Sequence, residues 1–347
     1  MIADPSFCMS SWLMYRAVVD HQRSFSPGTA PRHYRDDAPR TPVNTPAELE
    51  AQLRANVAIA LEQGSVGLML SGGMDSAILA AMVPAGTKAY TLRCHARDAL
   101  DEVPAAAAYA AHNHLQHEIV DVYWDDYEAL TLPLMVQKGC PIHSIEVQIG
   151  KAARQAKADG VKNLIFGETA DIIYGGHSKL LARNWTAEEF VRRFAFVDPR
   201  RVLREPQWIT APVEPYIRED GTADVFAFLN GFEYPVSLGF YSNACRLGGV
   251  ELCAPYSKTI LGHPLDLERV RRGESKYLVR ELYQKLYPGF PVLDKTPLPR
   301  PMSQWLADWA GPEHPAFCPG CQEGLTGDQK WYVYTLERFM REVVEKE

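Results

Sequence analysis

Ser71-Gly72-Gly73-Met74-Asp75-Ser76 follows the apolar run Val66-Gly67-Leu68-Met69-Leu70 and leads straight into Ala77-Ile78-Leu79-Ala80-Ala81-Met82. A strand, a polar glycine turn and a helix in that order constrain the fold more than any other stretch of the chain. Adjacent glycines reach backbone conformations closed to residues with a Cβ, so successive N–H groups can converge on an anion. The helix start adds partial positive charge. Ser71 and Ser76 carry hydroxyl donors. Asp75 repels an anion unless a cation stands between them, which points to Mg²⁺. The loop reads as a site for a nucleotide and its metal, with a tight turn that binds nothing as the plainer alternative.

The Gly-x-x-x-x-Gly-Lys-Ser/Thr loop of ordinary phosphoryl-transfer enzymes occurs nowhere in the chain, which disfavours a kinase. The loop at Ser71 to Ser76 instead resembles that of the N-type ATP pyrophosphatases, which split ATP into AMP and pyrophosphate. A second motif, Gly167-Glu168-Thr169-Ala170-Asp171-Ile172-Ile173-Tyr174-Gly175-Gly176, follows the apolar Asn163-Leu164-Ile165-Phe166.

Together the two motifs resemble the paired SGGxDS and GExxDExxGG loops of the asparagine synthetase synthetase domain, shared with β-lactam synthetases and lasso-peptide cyclases. The resemblance implies an α/β fold, a doubly wound parallel sheet of the ATP-pyrophosphatase (adenine nucleotide α-hydrolase-like) type with a mainly helical C-terminal portion. It implies ATP bound by Leu70, Ser71, Gly72, Gly73, Asp75, Ser76, Leu92 and Gly167. It also implies Mg²⁺ at Asp75 and Asp171, and Glu168 as catalytic acid or base.

Further on, Glu251-Leu252-Cys253-Ala254-Pro255-Tyr256 resembles a worn E-x-R-x-P-F-L-D segment, and Ser275-Lys276-Tyr277-Leu278-Val279-Arg280 the family's K-x-x-L-R helix start. Asp294-Lys295-Thr296, with Pro301 and Trp305, resembles its K-x-x-x-x-P-x-x-x-W region. The register implies pyrophosphate binding by Ser71, Ser76, Lys276 and Lys295, with Lys295 catalytic. An ammonium is a compact charge suited to holding and releasing pyrophosphate. By residue type alone these lysines would be solvated surface groups.

Three departures bear on the substrate. Ile172 replaces the family's acid, Cys253 its arginine and Lys258 its last aspartate. Loss of the arginine removes a bidentate carboxylate partner, so a carboxylate other than aspartate is expected. The implied reaction is ATP-dependent formation of an amide from a small-molecule or peptide carboxylate and an amine or ammonia, in specialised metabolism or in peptide or glycan modification. The N-terminal stretch Ser11-Trp12-Leu13-Met14-Tyr15-Arg16 through Tyr34 resembles the family's interdomain linker, whereas Met1-Ile2 lacks the glutaminase's cysteine nucleophile. Nitrogen from glutamine would therefore come from a separate glutaminase, and a carrier protein is a further candidate partner. The expected organisation is a linker-like 1–45 and a synthetase domain over 46–347, with a nucleotide-binding part at 46–180 and a mainly helical substrate and pyrophosphate part at 181–347.

Composition, at 46% hydrophobic and 23% charged over 347 residues, suits a compact enzyme. A net charge of −7 argues against nucleic acid or an anionic membrane as partner. No apolar stretch approaches a membrane span and no leader is evident, so a cytoplasmic protein is expected. Seven scattered cysteines do not make a disulfide framework. Cys318-Pro319-Gly320-Cys321 is half of a possible structural Zn²⁺ site that Cys245 and Cys253 could complete, or a redox pair. The latter would suit a rival reading, a sulfur-inserting ATP pyrophosphatase acting on tRNA. A third reading is an inactive nucleotide-binding protein.

Pattern predicts a helix starting at Thr45-Pro46 with a stripe of Leu49, Leu53, Val57 and Leu61. Then come strand Val66–Leu70, helix Asp75–Met82, strand Ala89–Arg93, helix Pro104–His112, strand Glu118–Val122, helix Ile145–Ala158 and strand Asn163–Phe166. Such alternation implies a parallel sheet, whose ligands sit at the carboxyl ends of the strands. His112, His114 and His117 do not share one helix face and read as surface residues.

Overall fold

The computed structural model describes residues 1–36, 38–97, 99–291 and 298–346. Five parallel strands form the central sheet: β1 (Val66–Met69), β2 (Lys88–Cys94), β3 (Gln116–Val122), β4 (Asn163–Ile165) and β5 (Glu251–Cys253). Their order is β3-β2-β1-β4-β5. From β1 the chain winds outward through β2 to β3, then returns to the other side of β1 as β4. The direction of winding reverses between β1 and β4, and the crevice that opens there is where doubly wound sheets bind ligands.

Alternate residues of the strands enter opposite layers. Leu68 lies in register with Ala89 on one side and Ile165 on the other, and all three join one apolar cluster. Tyr90, Leu92, Val120 and Leu164 join the cluster on the other face. Both faces are covered by helices, so the strands carry apolar residues at both parities, as buried parallel strands do.

The helix Pro46–Gln63 starts as its sequence predicts. Thr45 Oγ1 accepts the Glu48 amide at 3.2 Å, and the Glu48 carboxylate accepts the Asn44 amide at 2.7 Å. Leu49, Leu53 and Val57 are buried, but Leu61 is 36% exposed and Ala60 is buried in its place. Steps of four residues drift by about 40° each on an α-helix, so the stripe leaves the buried face by its fourth member.

Several elements escaped the pattern. The helix Trp124–Lys138 contains Pro133, which masks it. The helix Pro5–Tyr15 is buried at every residue from Cys8 to Tyr15, so it has no polar face to give it a period. Strand β5 has three residues, too few for an alternation. The lead before Pro46 pairs Thr41–Val43 with Thr259–Leu261 in a parallel ladder. Among the described residues, no helix is long and apolar enough to cross a membrane.

Candidate functional site

Both glycine motifs leave the carboxyl ends of the two strands that flank the reversal, β1 and β4. The first is braced from within. Ser71 N–H donates to Ser76 Oγ at 3.1 Å, the two hydroxyl oxygens lie 2.9 Å apart, and Gly73 N–H donates to Ser71 Oγ at 3.2 Å. The second packs on the first so closely that a Cβ on Gly167 would lie 2.9 Å from Ser76 N and 3.1 Å from Asp75 Cβ. Gly167 is thus required by contact between the loops. Gly176 is similar: its Cβ would fall 2.0 Å from Asp171 Oδ1.

Lys276 joins the loops. Its ammonium lies 2.7 Å from Asp75 Oδ2 and 2.9 Å from Asp171 Oδ1, and the residue is 4% exposed. Burial works against its charge, and the Asp75 and Asp171 carboxylates more than offset it, so the ammonium is held above its ordinary value. The resemblance assigned Lys276 to pyrophosphate; the structure places it between the two aspartates assigned to the metal. Tyr256 OH, donating to the Asp75 carbonyl at 3.2 Å, fixes the loop from the β5 side. Arg16, Thr169 and Lys276 are three of the four non-glycine residues with positive φ among the described residues. Such conformations cost energy and persist where the surroundings over-determine them.

Two carboxylates facing one cation, beside Ser71 and Ser76, form the hard oxygen donor set that Mg²⁺ takes, with phosphate oxygens and water completing the octahedron. Among the described residues no group of three or more His, Cys, Asp or Glu side chains could hold a metal. Mg²⁺ therefore fits as an ion carried by a phosphate ligand, not as one caged by protein alone.

These groups open onto a cavity of about 470 Å³. Leu70, Ser71, Gly72, Gly73, Asp75, Ser76, Leu92, Gly167, Glu168, Asp171 and Lys276, all drawn from the sequence, line it together. The opposite wall comes from residues that carry no motif: Arg16, His143, Glu233, Ser237, Tyr241 and Arg300. Ser237 Oγ donates to Glu168 Oε1 at 2.7 Å, and Tyr241 also hydrogen-bonds the Glu168 carboxylate. Ser237 and Tyr241 lie four residues apart on the helix Tyr234–Gly248, so one helix face presents both.

His143 Nδ1 accepts the Ile145 amide at 3.1 Å. Burial, then Arg300, Arg16 and Lys138, hold His143 well below its usual value, so the ring is neutral. Arg300 Nη1 lies 3.4 Å from His143 Nε2, with the guanidinium as the donor. Glu102 stands at the other end of the cavity: burial pushes its carboxyl up to about 7, against the Gly72 N–H that favours the charged form. A helix-heptad or motif search could not find these residues. Their one sequence signal is polarity next to apolar runs, which is too common to act on.

Lys295 lies outside the described residues. Neither Cys318 nor Cys321 lines the cavity, and burial first, then Cys318, pushes the Cys321 thiol up to about 11. All seven cysteines are free thiols. Cys245 and Cys253 complete no metal-binding group with the pair among the described residues, so Zn²⁺ does not fit there. Lys258 leaves the site and pairs with Asp36 at 2.8 Å.

The site is thus that of a parallel α/β nucleotide fold with loop-borne aspartates at the reversal of the sheet. A family model for asparagine synthase matches residues 48–223, about half of the chain, and the protein belongs to that family. Membership makes it an ATP-using enzyme of the ligase or pyrophosphatase kind. No curated protein matches it. Among solved structures, the U34-tRNA thiolase NcsA from Methanococcus maripaludis with its 4Fe-4S cluster is similar at 14% identity, over 86% of this chain and 80% of that one, with a TM-score of 0.32. That likeness is too distant to bear on the reaction.

Proposed function

We propose that the protein is an amide ligase that converts ATP to AMP and pyrophosphate. The observation that supports this most is the convergence of Asp75, Asp171 and Lys276 on one point where β1 and β4 part, in a chain of the asparagine synthase family. A carboxylate oxygen attacks the α-phosphorus, the α–β bridging oxygen leaves with pyrophosphate, and the acyl carbon of the adenylate then takes the amine nitrogen as AMP departs. Ser71, Ser76 and the loop amides cradle the pyrophosphate. Asp75 and Asp171 would hold Mg²⁺, which supplies charge neutralisation on the phosphates. Lys276 adds a compact positive charge already in place, so little reorganisation is needed as negative charge develops. Glu168, oriented by Ser237 and Tyr241, takes the proton of the attacking amine. Lys295 is assigned by the family register to the same charge as the adenylate breaks down.

Cys253 in place of arginine argues for a carboxylate other than aspartate. Ammonia would come from solution or from a separate glutaminase or carrier protein, and the cytoplasm is the compartment this chemistry suits. The test is product analysis: the protein with Mg²⁺, ATP, ammonium and mixed carboxylate pools should release AMP and pyrophosphate in equal amounts. ADP and orthophosphate as direct products would overturn the reading.

A further inference from the structure

A second cavity, of about 750 Å³, adjoins the first and shares Arg16 and Phe240 with it as a common wall. Its cations are Arg16, Arg32, Arg35, Lys138 and Arg246, and no Asp or Glu lines it among the described residues. Two of the five are neutralised from behind: Arg16 by Glu233 at 2.7 Å and Lys138 by Glu146 at 2.7 Å. Arg32, Arg35 and Arg246 have no ion-pair partner among the described residues. In a chain of net charge −7, three exposed guanidinium groups without an ion-pair partner among the described residues around one concavity run against the overall balance. Like charges held together raise the energy of the empty cavity, and an anion lowers it.

The cavity is built, not incidental. The segment carrying Arg32 and Arg35 is tied to the end of the helix Trp124–Lys138, where Arg32 N–H donates to the Lys138 carbonyl at 2.9 Å. Gly139, at φ +65°, lets that segment approach so closely that a Cβ there would lie 2.3 Å from the Ala30 carbonyl oxygen. His21 and His33 stack at 3.7 Å on the cavity wall. Burial first, then His21, Arg35 and Lys138, push His33 down to about 4.

We infer that this cavity seats an anionic group, phosphate or clustered carboxylate, of the small molecule whose reacting end lies in the first cavity against Glu168. The inference rests on the ligase reading and adds the substrate class: an acid or amine that carries a second, strongly anionic portion. Guanidinium forks match either oxyanion bidentately. RNA would demand a continuous basic face, which an acidic chain with a confined basic cavity does not offer.

Phenylglyoxal labelling of the intact protein, read per arginine by peptide mass spectrometry, tests it. Inorganic phosphate or citrate should slow labelling of Arg32, Arg35 and Arg246 by roughly fivefold or more, as occupancy of a guanidinium cluster requires. Glycerol should not, and Arg192, whose side chain is exposed, serves as the reference. Protection by phosphate alone assigns a phosphate-bearing substrate, and protection by citrate alone a polycarboxylate. Unchanged labelling with both anions overturns the inference, as does protection by tRNA where both anions fail. Calorimetry of Mg²⁺·ATP binding on the same preparation separates the two claims: protection without ATP binding sinks the ligase reading and leaves the anion cavity standing.

Discussion

The two walls of the central cavity are made in opposite ways. One is two contiguous loops, Ser71 to Ser76 and Gly167 to Asp171, locked to each other by the contact at Gly167 and by Lys276. The other is assembled from single side chains, Arg16, His143, Glu233, Ser237, Tyr241 and Arg300, each from a different stretch or turn of the chain. The first wall has a geometry fixed by contact between the loops, and it is the wall to which the proposed function gives the phosphates. The second is drawn from separate parts of the chain, and only Ser237 and Tyr241, one helical turn apart, are tied to one another by a local rule.

If the first wall carries the phosphates, the largest effect should come from Lys276→Met. Removing one partner of a buried ion group costs about 3–5 kcal/mol of stability, because Asp75 and Asp171 are left facing each other. Turnover should fall roughly 10²-fold or more in the folded fraction, as when an oriented charge donor is lost. Chemical denaturation together with single-turnover assays checks both. A variant as stable as the parent would show that the three groups do not act together.

Gly167→Ala should come next. Its Cβ must displace the Asp75 to Ser76 backbone, and overpacking of this kind costs about 1–3 kcal/mol. ATP affinity should fall with stability, measured by thermal unfolding with and without Mg²⁺·ATP. An unaltered midpoint in both would mean the loops are free to separate.

The contrast between the walls also explains what could be read from the sequence. The loop residues were legible because consecutive positions must supply a strand end, a turn, hydroxyls and a helix start, and few residue types satisfy all four. The parallel sheet followed from alternating strand and helix runs. Ser237 and Tyr241 were not legible, because their role depends on the helix Tyr234–Gly248 packing against β5, which is tertiary. Lys276 was found by family register, but its place between Asp75 and Asp171 needed the fold. The fully buried helix Pro5–Tyr15 and the three-residue β5 lack a period for the same kind of reason: burial on all sides and brevity erase it.

A smaller effect should mark the second wall. Ser237→Ala removes one of the two hydrogen bonds that hold Glu168, so kcat should drop by roughly tenfold with the KM for ATP unchanged, as for an interaction made in the transition state. A rise in the KM for ATP instead would move Glu168 to the nucleotide side.

The smallest concerns Glu102. Its carboxyl is raised to about 7 mainly by burial, so between the unfolded value and 7 the folded chain holds more protons than the unfolded one. Stability should therefore decline as pH rises through that window, and Mg²⁺·ATP affinity should weaken as the carboxylate beside Gly72 ionises. Glu102→Gln should flatten both curves. A parent protein whose stability and ATP affinity do not change across this range would show that Glu102 is not buried against the loop.

Titration of Mg²⁺·ATP into the parent, Asp75→Asn and Ser237→Ala proteins tests the division of labour most directly. Asp75→Asn should weaken binding by roughly tenfold or more through lost charge at the metal and at Lys276, while Ser237→Ala stays within about twofold of the parent. Equal losses in the two variants, or a loss confined to Ser237→Ala, would contradict the assignment of the nucleotide to the loop wall.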